Sequence, residues 1–193
     1  EAAASASAEV REEDLDGSFG QGVYQQAAGD IVEFELELED TDEAWIQIGG
    51  EDAGYADIIY IVDDDETGDV QFQMNTRAAG TGASTDQVYF SEDDEIEGSL
   101  VHDPVGPTED GGVIGGAQFY DEDTDDDDEI TVGAYFEELD LLGDDEDPLN
   151  SQLTRPIQAT DYDLTASSDG VFIVDDGESE ADDELDQALL ELQ

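Results

Sequence analysis

The chain has 193 residues, with 58 Asp and Glu against three Arg, no Lys and one His, for a formal net charge of −55. Three cations cannot neutralise a phosphate backbone, so nucleic acid is excluded as a partner, and anionic membrane surfaces are excluded on the same ground. The absence of Cys removes disulfides and thiolate chemistry, and no apolar stretch is long enough to form a transmembrane helix.

Charge of this size opposes compaction in dilute buffer. At molar salt the Debye length falls to about 3 Å, and most of the repulsion is screened. The composition is therefore that of a protein from a saturated-salt habitat. A disordered acidic chain would carry similar charge. Here, however, 37% of residues are hydrophobic and 8% aromatic, and they fall in periodic runs, so the chain reads as folded around one sizeable core.

Residues 1–16 form an arm, extended or a donor strand, and residues 17–193 form the domain. The arm begins EAAASASAEVREE and lacks large apolar side chains. Ala2, Ala4, Ala6, Ala8 and Val10 would share one face if it paired as a strand. It has neither the basic region nor the apolar core of a signal peptide. A start at Glu1 without Met is expected of a processed mature form.

From Phe19 the pattern becomes β. Ile31 to Leu38 puts Val32, Phe34, Leu36 and Leu38 on one face and Glu33, Glu35 and Glu37 on the other, a half-buried strand with period two. Ala44–Ile48 follows a polar turn over Glu39–Asp42. Tyr55–Val62 and Asp69–Asn75 are further strands, the second with Val70, Phe72 and Met74 inward, and the acidic loop Asp63–Gly68 joins them. More strands are expected near 87–90, 113–120, 129–136, 161–165 and 171–174. Many short strands at roughly ten-residue spacing predict an all-β sandwich with Glu-rich outer faces in brine. At the end of the chain, Ser179 can cap an acidic first turn, and Leu185, Ala188, Leu189 and Leu192 recur at helical spacing, which favours a short C-terminal helix. A closing strand over 185–192 competes, because Leu189-Leu-Glu-Leu192 also fits a sheet.

Few residues point to chemistry. His102 is the only His, in a Pro/Gly-rich loop, without a Cys partner or a Ser in a G-x-S-x-G context. It reads as a loop or surface residue, and a zinc site fails for want of ligands. Among 58 acids, carboxylate pairs arise by chance and carry no glycosidase signal. Two loops could gather oxygens for Ca²⁺ or other cations. Asp63, Asp65 and Thr67 match the first half of an EF-hand-type loop, but Met74 stands where its bidentate Glu would fall. Asp121, Asp123 and Asp125 lie in a second acidic tract. Trp45, Tyr55, Tyr60, Tyr89 and Tyr120 could stack on sugars, although most read as core or inter-strand residues. Neither Asn75-Thr-Arg nor Asn150-Ser-Gln completes an N-glycosylation acceptor.

Phe19 and the turn Gly29-Asp30 lead into the alternating strand. Thr41-Asp42-Glu43-Ala44, Ile48-Gly49-Gly50-Glu51-Asp52 and Tyr55 follow, then Gly68-Asp69-Val70, Phe72 and Asn75-Thr76. Together with Pro148-Leu149, Asp161-Tyr-Asp-Leu164 and the acidic, Leu-ended tail, this order resembles domains of haloarchaeal cell-surface glycoproteins, including S-layer proteins. The resemblance covers about 17–192 and is most specific over 28–76. It implies an extracellular Ig-like β-sandwich with a structural role and brings no catalytic residues. Those glycoproteins usually add further domains, a Thr-rich stalk and a membrane anchor, and none of these is seen here.

The expected function is therefore that of a secreted, halophilic, non-enzymatic structural protein on an archaeal cell surface. It would polymerise with itself into a filament, tubule or layer, with other surface proteins as further candidate partners. The expected mechanism is strand donation, in which the arm pairs with a sheet edge of the next subunit. The competing reading is a calcium-dependent adhesion or carbohydrate-binding module.

Overall fold

The computed structural model describes residues 15–64, 66–102, 114–122, 129–141, 148–175 and 177–193. Its strands are β1 (Asp16–Phe19), β2 (Val23–Gln26), β3 (Ile31–Glu39), β4 (Glu43–Gly50), β5 (Tyr55–Val62), β6 (Asp69–Asn75), β7 (Tyr89–Phe90), β8 (Glu95–Ser99), β9 (Gln118–Asp121), β10 (Asp161–Ser167), β11 (Val171–Asp175), β12 (Glu178–Ala181) and β13 (Glu184–Leu192). Short helices α1 (Thr85–Val88), α2 (Val132–Glu138) and α3 (Pro148–Ser151) lie between them.

The strands make three sheets. Sheet A has the order β1-β3-β6-β7, sheet B the order β2-β13-β10-β4-β5-β8, and sheet C the order β12-β11-β9. The all-β sandwich expected from the sequence is present. In β3 every second residue is buried, so its glutamates face solvent while Phe34 stacks on Phe72 of β6 at 4.9 Å between ring centroids. Sheet A is thus wet on one face and dry on the other, as an antiparallel sheet permits.

Sheet B behaves differently. Six consecutive residues of β4, Ala44 to Gly49, are buried, as are seven of β5, Tyr55 to Ile61. Ala44, Ile46, Ile48, Ile59 and Ile61 pack toward sheet A, whereas Trp45, Ala56, Ile58 and Tyr60 pack toward sheet C and α2. Over β4 and β5, sheet B is therefore the middle of three layers, and its second face there meets protein rather than the expected brine, while Asp161 and Asp163 of β10 and Glu95 and Glu97 of β8 stay exposed. Buried Gln47 ties the outer layer on: it accepts from the Tyr135 hydroxyl at 2.8 Å, and its amide donates to Ser179 Oγ at 2.5 Å.

Two elements differ from the sequence expectation. The expected C-terminal helix is absent, and residues 178–192 form β12 and β13. The alternation of Ala188, Leu190 and Leu192 decides this, since it lets β13 pair antiparallel with β10 on one side and parallel with β2 on the other. The strand expected over 129–136 is largely helix. Thr131 Oγ1 accepts the Ala134 N–H at 3.2 Å as an N-cap. Tyr135, Phe136 and Leu139 are all buried, a spacing that a strand would split between two faces.

The chain changes sheet between Phe19 and Val23, so that β1 edges sheet A and β2 edges sheet B. The Gly20 N–H donates to Glu35 O at 2.8 Å and the Tyr24 hydroxyl to the same carbonyl at 3.1 Å, lacing this margin shut.

Gly49 shows how tightly β4 and β5 are joined. Its φ is +89°, and a Cβ there would lie 2.0 Å from Tyr55 O. Gly49→Ala is expected to lower unfolding free energy in molar KCl by about 3 kcal/mol. Gly22→Ala, which meets nothing within 4 Å, should change it by less than about 0.5 kcal/mol. Denaturant titration of both variants checks the difference.

Candidate functional site

The largest group of buried polar side chains centres on Asp57 in β5. Its flanks, Ala56 and Ile58, face the second core, so Asp57 points into the sandwich, where it is 0% exposed. Its carboxylate accepts from Ser99 Oγ at 2.5 Å and from the Val101 N–H at 3.0 Å. Ser99 Oγ in turn accepts the His102 N–H at 2.9 Å.

From the sequence His102 is expected to be a loop or surface residue, and it does lie in a turn after β8. It is 3% exposed, because hydrogen bonds on every side replace the water it gives up. Nε2 accepts the Gly80 N–H at 3.2 Å, which leaves the proton on Nδ1 to donate to Ala83 O at 3.0 Å. The Tyr55 hydroxyl lies 3.1 Å from Nε2 and 3.4 Å from the Tyr89 hydroxyl. The cluster fastens β5, the 99–102 turn and the 78–83 loop together. It lacks the geometry of a nucleophile and base, since Ser99 serves Asp57 rather than His102 and both ring nitrogens are occupied. Its part is structural.

The second place of interest is the margin opposite β1 and β2, where sheet A ends in β7 and sheet B in β8. β7 is only two residues long. Beyond it the β6 edge is held by the 91–94 loop: the Gln71 N–H donates to Asp94 Oδ2 at 2.9 Å, and Ser91 Oγ donates to Gln71 O at 2.5 Å. Among the described residues, β8 pairs with β5 alone, with a bulge, and is an edge strand of sheet B. Between β7 and β8 runs a groove of about 890 Å³, lined by Thr85, Tyr89, Phe90, Ile96 and Gly98 among acidic neighbours. The Thr85 hydroxyl is buried there with no hydrogen-bond partner among the described residues.

The other sequence-selected residues are dispersed. Asp63 is buried and caps its own loop, Oδ1 accepting the Thr67 N–H at 3.3 Å and Oδ2 the Gly68 N–H at 2.7 Å. Asp121 ends β9. Asp65, Asp123 and Asp125 lie outside the described residues, as do Ala2, Ala4, Ala6, Ala8 and Val10. Among the described residues, no three His, Cys, Asp or Glu side chains are grouped to hold a metal ion. Trp45, Tyr55, Tyr60 and Tyr89 are buried, leaving Tyr120 half-buried. Asp57, Ser99, Thr85 and β8 were not singled out in the sequence. For Asp57 a signal existed: it is an acid in the middle of an otherwise apolar strand.

Comparison with known proteins gives a consistent picture. Over 99 residues the chain is 28% identical to a cell surface glycoprotein of Haloferax gibbonsii. The chain is similar to a haloarchaeal surface protein. The alignment takes in 51% of this chain and only 12% of the glycoprotein. Residues 9–104 match a family described as a domain of unknown function (DUF7827). That span carries β1 to β8, but not β10 and β13, which lie between β2 and β4 in sheet B. No solved structure matches the chain. No helix among the described residues is long and apolar enough to cross a membrane.

Burial raises the phenol pKa of Tyr24 and Tyr162, and raises Tyr55 and Tyr89 well above the ordinary value. In the unfolded chain these groups ionise near pH 10. Their contribution to stability is therefore complete below about pH 10 and is lost as pH climbs toward the native values. Phenolate absorbance in molar salt should appear in one cooperative step that coincides with loss of the fold. Gradual titration of every tyrosine near pH 10, with the fold intact, would contradict this.

Proposed function

We propose that the protein is a non-enzymatic structural component of a haloarchaeal cell surface, and that it assembles with copies of itself through residues 1–10. The similarity to the Haloferax glycoprotein carries the surface role. An all-β fold whose only buried His is fully engaged in hydrogen bonds agrees with a role other than catalysis. The composition supports self-assembly by backbone pairing. Subunits of charge −55 repel one another, and strand pairing between main chains is the contact least sensitive to side-chain charge. Residues 2–8 are uncharged Ala and Ser, so they can approach an acidic edge. Cations at the 63–67 and 121–125 loops would ease the remaining repulsion.

Electron microscopy of the chain in molar KCl tests this. The full chain should form extended assemblies that dissociate on dilution into low salt, where the Debye length rises to tens of ångströms. A variant lacking residues 1–10 should stay folded and monomeric at the same salt. Assemblies that persist after the deletion would overturn the reading. Loss of assembly in chelator at constant ionic strength would assign the loops a bridging divalent cation.

A further inference from the structure

The reading above names a donor segment and leaves its acceptor open. Resting on that reading, we infer that residues 1–10 of a second copy enter the groove between β7 and β8 and add a strand to the free edge of β8.

The first reason is exclusion. The margin formed by β1 and β2 is closed by the chain's own passage between sheets and by the two bonds to Glu35 O. In sheet C, β9 is bridged by Ile130 and β12 packs over β10. Among the described residues, β7 and β8 are the two sheet edges that flank an open groove.

The second reason is an orphaned group. Thr85 is 8% exposed, and its hydroxyl has no partner among the described residues, although it lines this groove. Leaving a buried hydroxyl unpaired is unfavourable. A backbone carbonyl of an inserted strand would accept its proton.

The third reason is charge. The groove is rimmed by Asp64, Asp86, Glu92, Asp93, Glu95 and Glu97, so an acidic segment would be repelled. Residues 2–8 bring no charge. Paired as a strand, Ala2, Ala4, Ala6, Ala8 and Val10 would face Tyr89 and Ile96, and Ser5 and Ser7 would face the rim. Four residues separate Val10 from Leu15, a span of up to about 17 Å when extended, which lets the donor reach beyond its own subunit.

The geometry also sets the mode of growth. The donor departs from the β1 margin and the acceptor lies at the opposite margin, so the contact is heterologous. Each subunit then offers one donor and one groove, and the contacts propagate head to tail from copy to copy.

The protein has no Cys, which makes cross-linking decisive. Ser5→Cys or Ser7→Cys, each combined with Glu97→Cys, should give a ladder of covalent oligomers on oxidation in molar KCl. Ser7→Cys combined with Val23→Cys, an exposed residue of β2, should not. Thr85→Val should leave the fold as stable and raise the critical concentration for assembly about fivefold, the loss of about one hydrogen bond. Three results would overturn the assignment. One is a ladder with Val23→Cys but not Glu97→Cys while reduced protein still assembles, which would leave the donor reading standing. Another is a Glu97→Cys cross-link confined to monomers, meaning each copy fills its own groove. The third is a full-length chain that never assembles, which would remove the donor reading itself.

Discussion

The β4–β5 pair of sheet B has no wet face, and the rest of the structure is arranged around that fact. A sheet in this chain can meet solvent only through a row of carboxylates, as β3 does with Glu33, Glu35 and Glu37. β4 and β5 instead alternate one apolar set with another. Their second face carries Trp45, Ile58 and Tyr60, which would leave a large exposed apolar patch without cover. Sheet C and α2 provide it. Trp45 and Tyr60 stack at 4.7 Å, and the backbone at Gly115 and Gly170 closes onto their rings with no room for a Cβ.

The carboxylates and the core are two sides of one arrangement. Acids populate the open face of sheet A, the turns and the margins, where hydrated salt can screen them. Among the described residues, Asp57 and Asp63 are the exceptions: Asp63 accepts from the amides of its own loop, and Asp57 is accommodated by Ser99, the Val101 amide and the Tyr55 hydroxyl beside His102. A buried carboxyl with full partners helps fix one arrangement of loops, whereas an apolar core would accept several.

The elements legible in the sequence are those in which side-chain period alone settles the matter. β3 and β6 alternate cleanly, β10 does so over Asp161–Leu164, and the apolar runs of β4, β5 and β11 have strand length. β13 was not legible, because Leu185, Ala188, Leu189 and Leu192 satisfy a helical period while Ala188, Leu190 and Leu192 satisfy a strand period. Pairing with β10 and β2 breaks that tie, and such pairing is invisible along the sequence. The aromatic and β-branched residues of α2 favour a strand by propensity, but its core requires adjacent Tyr135 and Phe136 on one side. β8 has a single large apolar residue, Ile96, and so no pattern to detect. Of the polar cluster, Asp57 carries a signal in its apolar neighbours, and His102 is conspicuous only as the single His. Ser99 and His102 become its partners only when the 99–102 turn folds against β5.

The order of strands in sheet B has a consequence for how the chain acquires its fold. β2 is made among the first thirty residues, yet its only ladder partner is β13, more than 150 residues later. β4 likewise waits for β10. The region that matches the known family therefore holds a sheet with a gap at its centre until residues 161–192 arrive to fill it. Such long loops must close before their contacts can stabilise anything, so folding is slow and late. Closing those long loops brings distant carboxylates together, so the salt that screens them must be present while the three layers assemble.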